Sequence, residues 1–229
     1  MALPTTDLEI ANMALANIGH TVQIGNLTSD STTEARNARL FLDSEREILL
    51  GSFDWNFARE RAVLVQATGT GDWWNSVDDD WDYVYSLPAN CVEPRYLYPG
   101  TRNPTPQERE PFERARNAAD NGFVLLCDVK PVTSGDKAPV LFYTARITVV
   151  SEYPQPFVSL FAWALGWRLA VPVMGEERGE AKRKEIGRYV TAAYVDAVRC
   201  DVQSKGRDQE PPTPSLAARG VSWTPRVTR

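Results

Sequence analysis

Residues 157–171 read FVSLFAWALGWRLAV, the longest apolar stretch of the chain. Large apolar side chains lie all round a helix drawn through these residues, and a helix without a polar face is buried on several sides. The stretch follows Pro154 and Pro156, and proline suits the first turn of a helix. We therefore predict a central core helix, which Pro172 and Gly175 end and which is too short to span a bilayer.

Helices are also predicted toward the N-terminus. Thr6 and Glu9 form a candidate capping box, in which each side chain satisfies a free backbone N–H of the first turn. Ser31 and Glu34 repeat this pattern ahead of a second helix. The aromatic run FDWNF at residues 53–57 has the period of a strand, but a turn packed on the core fits it equally well.

The segment between about residues 62 and 150 differs from both flanks. It contains short β-branched and aromatic runs separated by Gly, Pro, Asp and Asn, which predict a small antiparallel sheet region. The polar stretch from Pro99 to Asn121 is predicted as an excursion on that sheet, and a last helix is predicted from about Gly179 to Gln203. The predicted strand runs are Val63–Val65, Tyr83–Leu87, Arg95–Tyr98, Phe123–Cys127 and Val140–Tyr143.

The order of these segments predicts an α+β protein, mainly an α-helical bundle with a β-rich insertion and an extended C-terminal arm. Residues 1–60 and 151–205 form the bundle, residues 61–150 the insertion, and residues 206–229 the arm. The arm holds four Pro, four Arg and two acidic residues, so it buries little and carries a net charge of +2. Its single Trp and spaced Arg suit a surface of contact with a partner, and a floppy terminus is an equal alternative. The candidate partner-binding residues are Arg207, Arg219, Trp223, Arg226 and Arg229.

The densest polar and aromatic cluster is GDWWNSVDDDWD at residues 71–82. Aspartates bind Ca²⁺ or Mg²⁺ through hard oxygen ligands, but the ligand alternation, central Gly and distal Glu of a calcium loop are missing. We favour a solvated hairpin tip with Trp at its base, facing a channel or a neighbouring subunit. In a channel wall its negative charge would repel DNA. The residues assigned to this loop are Asp78, Asp79, Asp80 and Asp82.

The sequence gives little support to enzymatic chemistry. His20 is the single histidine, so a catalytic triad or a multi-histidine metal site would have to use it, and we predict an ordinary loop residue. Cys91, Cys127 and Cys200 lack metal-site spacing and are predicted to be buried or incidental thiols. We predict no catalytic residue, no metal and no cofactor.

Several segments occur in an order that a known family shares. They are IANMALANIG at 10–19, STTEAR at 31–36, EREILL at 45–50 with FDWNFA at 53–58, YVYSLPANC at 83–91, and LFY at 141–143 followed by the helix of residues 157–169. Together they resemble the phage tail tubular protein A family of head-to-tail adaptors or gatekeepers. Each motif is weak alone, but their order over residues 8–200 is fairly specific. Asn90 stands where the family commonly has Asp.

The resemblance implies a structural virion protein that is not an enzyme. It implies a dodecameric ring of copies beneath the portal protein, with C-terminal segments that reach along portal subunits. The ring would receive the next tail or neck component, and packaged double-stranded DNA would pass through it without sequence-specific binding. The expected location is the neck or tail of the virion after assembly in the host cytoplasm, with no membrane partner.

Three other functions remain open. A different neck or tail-completion role, such as a stopper or a tail terminator, would differ in which partner binds which face. A tail-associated cell-wall hydrolase would need paired carboxylates, and no Glu lies in an apolar context that would tune it as an acid. A DNA-binding module is disfavoured by the net charge of −5.

Overall fold

The computed structural model describes residues 4–67, 81–100, 106–116, 122–130 and 138–204. Within these residues the protein is α+β, with four α-helices and seven strands in two antiparallel sheets. The helices are α1 Asp7–Asn17, α2 Thr33–Ser52, α3 Gln155–Met174 and α4 Glu176–Ser204.

Helix α3 lies at the centre of the helical part. It packs along α4, α1 and α2, and residues from all round its axis are buried. The shared core contains Ile10 of α1, Leu42 of α2, Phe161 of α3 and Ile186 of α4. The prediction of a core helix at residues 157–171 is therefore confirmed.

The predicted break at Pro172 is wrong. Helix α3 continues through Pro172 to Met174, because the packing of α3 against three other helices outweighs the backbone hydrogen bond that the proline removes. The helix ends at Gly175, which has a φ of 83°, and the Gly175 N–H donates to the Val171 carbonyl at 3.0 Å. Helix α4 begins directly afterwards, before the predicted start at Gly179.

Helix α3 has the length and composition to cross a membrane, and it is the one helix in the described ranges that has both. Its mean hydropathy is 1.5, and 56% of the stretch is buried inside the protein. The helix predicted from the sequence was too short to span a bilayer because it ended before Pro172, whereas the observed helix has 20 residues. Packing against three other helices accounts for its apolar surface.

The first capping box is confirmed. The Glu9 N–H donates to the Thr6 hydroxyl at 3.3 Å, and the Glu9 carboxylate accepts from the Thr6 N–H at 3.0 Å. The backbone N–H groups of Thr5 and Thr6 lower the pKa of the Glu9 carboxyl, because they bind its charged form. This contact fixes the residue at which α1 begins.

The second capping box is wrong by one residue. Thr32 caps α2, and its hydroxyl accepts from the Ala35 N–H at 3.3 Å, so Ser31 lies outside the cap. Glu34 contacts the His20 Nε2 atom at 3.0 Å instead. His20 is in a loop as predicted, and this contact joins that loop to the first turn of α2.

The chain passes back and forth between two sheets, with β1, β4 and β7 in one and β2, β3, β5 and β6 in the other. One sheet has the order β1-β7-β4 and the other has the order β2-β3-β6-β5, with every pairing antiparallel. The antiparallel sheet region predicted for this part of the chain is confirmed. The strands are β1 Arg59–Val63, β2 Val65–Gln66, β3 Tyr83–Ser86, β4 Cys91–Tyr98, β5 Glu113–Arg116, β6 Phe123–Cys127 and β7 Val140–Ala145.

The predicted run Val63–Val65 belongs to two sheets. Strand β1 ends at Val63, β2 begins at Val65, and both valines are exposed. Leu64 between them is 5% exposed and lies in a cluster that draws on both sheets, with Leu125 and Leu141. The chain changes sheets at Leu64 because this side chain fills the space between them.

The stretch from Pro99 to Asn121 contains a strand that the sequence did not predict. Strand β5 pairs with β6 at the edge of its sheet, and three of its four residues are exposed. An exposed edge strand carries charged side chains, which discourage pairing with another chain. Its sequence, ERAR, therefore has the composition of a polar loop.

Arg95 joins the first sheet to the helices. From β4 its Nη2 atom donates to the carbonyls of Gly51 at 2.9 Å and Phe53 at 2.7 Å, at the C-terminal end of α2. Its Nε atom donates to the Thr144 hydroxyl on β7 at 2.9 Å. A cation at a helix C-terminus also interacts favourably with the helix dipole.

We expect Arg95→Met to lower the free energy of unfolding by about 2–4 kcal/mol, because it leaves the Gly51 and Phe53 carbonyls and the fully buried Thr144 hydroxyl without this donor. Chemical denaturation measures the change. Arg61→Met, on the exposed side of β1, is the control and should change stability by less than about 0.5 kcal/mol. Equal effects of the two changes would contradict the role given to Arg95.

Candidate docking groove

The aromatic run at residues 53–57 forms a turn packed on the core. Of the two structures predicted for it, a strand and a packed turn, the second is therefore the one observed. Trp55 is 1% exposed, and its Nε1 atom donates to the Leu49 carbonyl at 2.8 Å. A 3-10 turn, Asn56–Ala58, follows. The Trp55 ring meets the ring of Phe157 edge to face, with 5.2 Å between centroids. This turn therefore rests on the first residues of α3.

The same turn holds the C-terminal end of α4. The Asn56 N–H donates to both carboxylate oxygens of Asp201, at 3.0 and 3.1 Å. The Asn56 side-chain amide donates to the Asp201 carbonyl at 2.7 Å. Asp201 is 8% exposed, and a buried carboxylate needs such donors. We call these contacts the Asn56–Asp201 clasp, and they hold the C-terminal end of α4 against the turn.

A groove of about 380 Å³ lies beside the clasp, between the turn, the start of α3 and the end of α4. Most of its surface is aromatic or aliphatic, and two prolines give it a rigid edge. Such a concave apolar surface suits a large apolar side chain of a partner. The lining residues are Trp55, Asn56, Phe57, Pro154, Pro156, Phe157, Ala197, Cys200, Asp201 and Ser204.

A second depression, of about 540 Å³, continues the groove along α3 and α4. The two share Pro156 and Cys200. In the second depression Trp163 and Tyr189 stack with 5.0 Å between ring centroids and 21° between planes. Asp196 and Arg199 add charge to this part of the surface. The combined surface is thus an elongated apolar groove with charged groups in the second depression.

The three cysteines differ in their surroundings. Burial raises the pKa of the Cys91 thiol and of the Cys127 thiol to about 11, so both stay protonated at neutral pH. Cys200 is exposed and lies in the wall shared by the groove and the second depression. No disulfide or metal-ligating cluster occurs in the described part of the chain.

Most residues that the sequence analysis assigned to a site fall outside the described residues. The five arm residues, Arg207, Arg219, Trp223, Arg226 and Arg229, do so, and so do Asp78, Asp79 and Asp80. Asp82 is exposed just before β3, and its N–H donates to the Asp128 carboxylate at 3.1 Å. The assignments of the other residues therefore stay predictions.

The groove is a feature that sequence reasoning missed. Asn56 and Asp201 are 145 residues apart, and no spacing or composition links them. The one available signal was the aromatic run around Trp55, since a turn rich in aromatics beside a helix end marks a packed junction. Cys200 was interpreted as incidental, yet it lies at the centre of the surface.

Comparison with known proteins does not assign the chain to a family. Neither the protein-family models nor the curated proteins give a match to this sequence.

Proposed function

We propose that the protein is a structural head-to-tail adaptor of a bacteriophage virion. In this proposal α1–α4 are a helical bundle that forms the wall of a ring beneath the portal. Residues 61–150 are a β-rich insertion that contacts the tail or a neighbouring subunit. Residues 206–229 are an arm that clamps the portal, with Trp223 and four arginines as its contacts. The ring extends the DNA channel and receives the next tail or neck component.

The observation that carries the proposal is the division of the described chain into two cores. Helices on both sides of the strands share one cluster, and the strands between them have clusters of their own. This division suits a head-to-tail adaptor, in which one part would hold the ring while another contacts the tail. The proposal also rests on the resemblance of the sequence segments to the tail tubular protein A family.

The junction at the end of α4 supports the role of the arm. The Asn56–Asp201 clasp fixes Ser204, the last described residue of α4, against the helical core. The arm begins just after this point, so a pull on the arm would be transmitted to the core through these hydrogen bonds. A clamp that holds a ring to a portal requires such an anchor.

The charge of the chain suits a conduit for DNA. The net charge is −5, so no strong positive field attracts the phosphate backbone. Double-stranded DNA can then slide through the ring without being held. In this proposal Asp78, Asp79, Asp80 and Asp82 add local repulsion at the channel or at an interface between subunits.

Electron microscopy of the chain mixed with portal rings from the same phage tests the proposal. A second ring, stacked coaxially under the portal and of dodecameric symmetry, is the expected result. A bare portal, with the chain bound to tail tubes or cell wall instead, would replace the adaptor role with a tail-terminator or hydrolase role.

We expect deletion of residues 206–229 to abolish portal attachment while the fold stays intact, because the helices of the described residues pack a core of their own. Sedimentation with portal rings and thermal denaturation measure the two effects. Normal attachment of the shortened chain would disprove the clamp.

A matched pair of charge variants separates the arm from general electrostatics. Arg226→Gln with Arg229→Gln removes two positive charges from the arm, and we expect weaker attachment. Arg178→Gln with Lys184→Gln removes two from the exposed surface of α4 and should leave attachment unchanged. Equal losses in both variants would indicate a non-specific charge effect.

A further inference from the structure

We propose that the docking groove binds the Trp223 side chain of the same chain, so that residues 205–229 fold back onto the helical core in the free protein. This inference concerns the chain before any partner binds. It does not depend on the adaptor role and can be tested without a portal.

The chemistry of the groove fits an indole ring. Phe57 offers a partly exposed ring, which packs against the buried rings of Trp55 and Phe157, and aromatic pairs gain energy in edge-to-face and offset-stacked arrangements. Pro154 and Pro156 add a rigid apolar edge that needs no ordering when a ligand binds. The volume of about 380 Å³ accommodates one bicyclic side chain and part of the backbone that carries it.

The start of the C-terminal segment favours this occupant over others. Ser204 is the last described residue and itself lines the groove, so the segment begins at the groove wall. Eighteen residues, 205 to 222, separate it from Trp223. A flexible chain of that length has an end-to-end distance of about 20–25 Å. Such a tether gives an effective concentration of roughly millimolar, so even a weak site is occupied in cis.

The charges next to Trp223 also favour this side chain as the occupant of the groove. Arg219 and Arg226 flank Trp223 in the sequence. Asp196 borders the second depression, and the C-terminal end of α4, with its partial negative charge, borders the groove. Arg199 borders the same depression, so the acceptors open to the two arginines are Asp196 and the C-terminal end of α4, while the ring lies among aromatic side chains.

Cys200 supplies a direct test, because it lies in the groove wall and is exposed. Ser222→Cys in the full chain places a thiol next to Trp223 while the indole is kept. Under a glutathione redox buffer we expect a disulfide between Cys200 and the introduced thiol within one chain. Non-reducing electrophoresis detects it as a monomer of altered mobility, and peptide mass spectrometry identifies the pair.

The matched control is Ser222→Cys combined with Trp223→Ala, which keeps the tether and removes the anchor. We expect disulfide formation at least tenfold slower in this double variant. Equal rates would overturn the proposal, since the tether alone would then explain the contact. A disulfide that forms dimers, at a rate that rises with protein concentration, would also overturn it and would assign the groove to the segment of a second copy.

Discussion

We expect Trp55→Ala to lower the free energy of unfolding by about 4–5 kcal/mol, the largest effect of any single change considered. The ring is 1% exposed and packs against Phe53, Phe157 and Tyr194. Truncation leaves a cavity at the point where α2, α3 and α4 meet, and the Leu49 carbonyl keeps the Ser52 hydroxyl as a donor but loses the indole N–H. At about 2–4 °C per kcal/mol the melting temperature should fall by about 10–15 °C. Calorimetry or thermal circular dichroism measures it.

Two further variants divide this effect between packing and hydrogen bonding. Trp55→Phe keeps a ring in the cavity but removes the indole donor, and should lower stability by about 1–2 kcal/mol. Trp163→Ala removes a Trp that is only partly buried and stacks on the exposed Tyr189, so its effect should be smaller than that of Trp55→Ala. A Trp163 variant as unstable as the Trp55 variant would contradict the central position given to Trp55.

We expect Gly179→Ala to lower the free energy of unfolding by about 2–3 kcal/mol. A Cβ atom at Gly179 would lie 2.5 Å from the Val171 Cα atom and 2.7 Å from the Ala170 carbonyl oxygen. Both are backbone atoms of α3, so no side chain can turn away and the two helices have to separate. The cost should appear in urea denaturation as a lower midpoint with an unchanged slope.

The matched control for Gly179→Ala is on the same helix. A Cβ atom at Gly187 would meet no atom of a neighbouring element within 4 Å, so Gly187→Ala should stabilise the protein. The gain is up to about 1 kcal/mol and comes from helix propensity alone. The two identical substitutions thus have opposite signs. If both stabilise the protein, α3 and α4 are less close at Gly179 than the structure shows.

Local signals predicted the helices well. The capping box of Thr6 and Glu9 marks the start of α1, and the all-round apolar composition of residues 157–171 marks α3. Both signals depend on residues within a few turns of one another. Pro172 misled for the same reason, because a helix-breaking residue is a local signal and the packing of α3 against its neighbours outweighs its cost.

Long-range contacts explain what the sequence could not predict. The change of sheet at Leu64 depends on residues such as Leu125 and Leu141, and the polar strand β5 exists because β6 pairs with it. Arg95 satisfies carbonyls more than 40 residues away. The pattern of residues within one segment does not indicate partners that lie so far away in the sequence.

The candidate site was the least predictable part. Of the residues that the sequence analysis assigned to a site, Asp82 is the one in the described ranges. The groove is instead formed where residues 55–57 meet the end of α4. These two parts of the chain come together because both pack against α3. Apolar residues that line such a groove have the same composition as a core.

The separation of α1 and α2 from their core partners affects how the protein is made. Ile10 and Leu42 leave the ribosome first, yet they pack with residues of α3 and α4 that follow all seven strands. At a synthesis rate of roughly 5–20 residues per second, α3 and α4 are completed on the order of ten seconds after α1 and α2. During this time the strands can pack around their own apolar clusters while the chain is still being synthesised. The two N-terminal helices therefore keep apolar faces open during synthesis, which makes them the segment that a chaperone would hold.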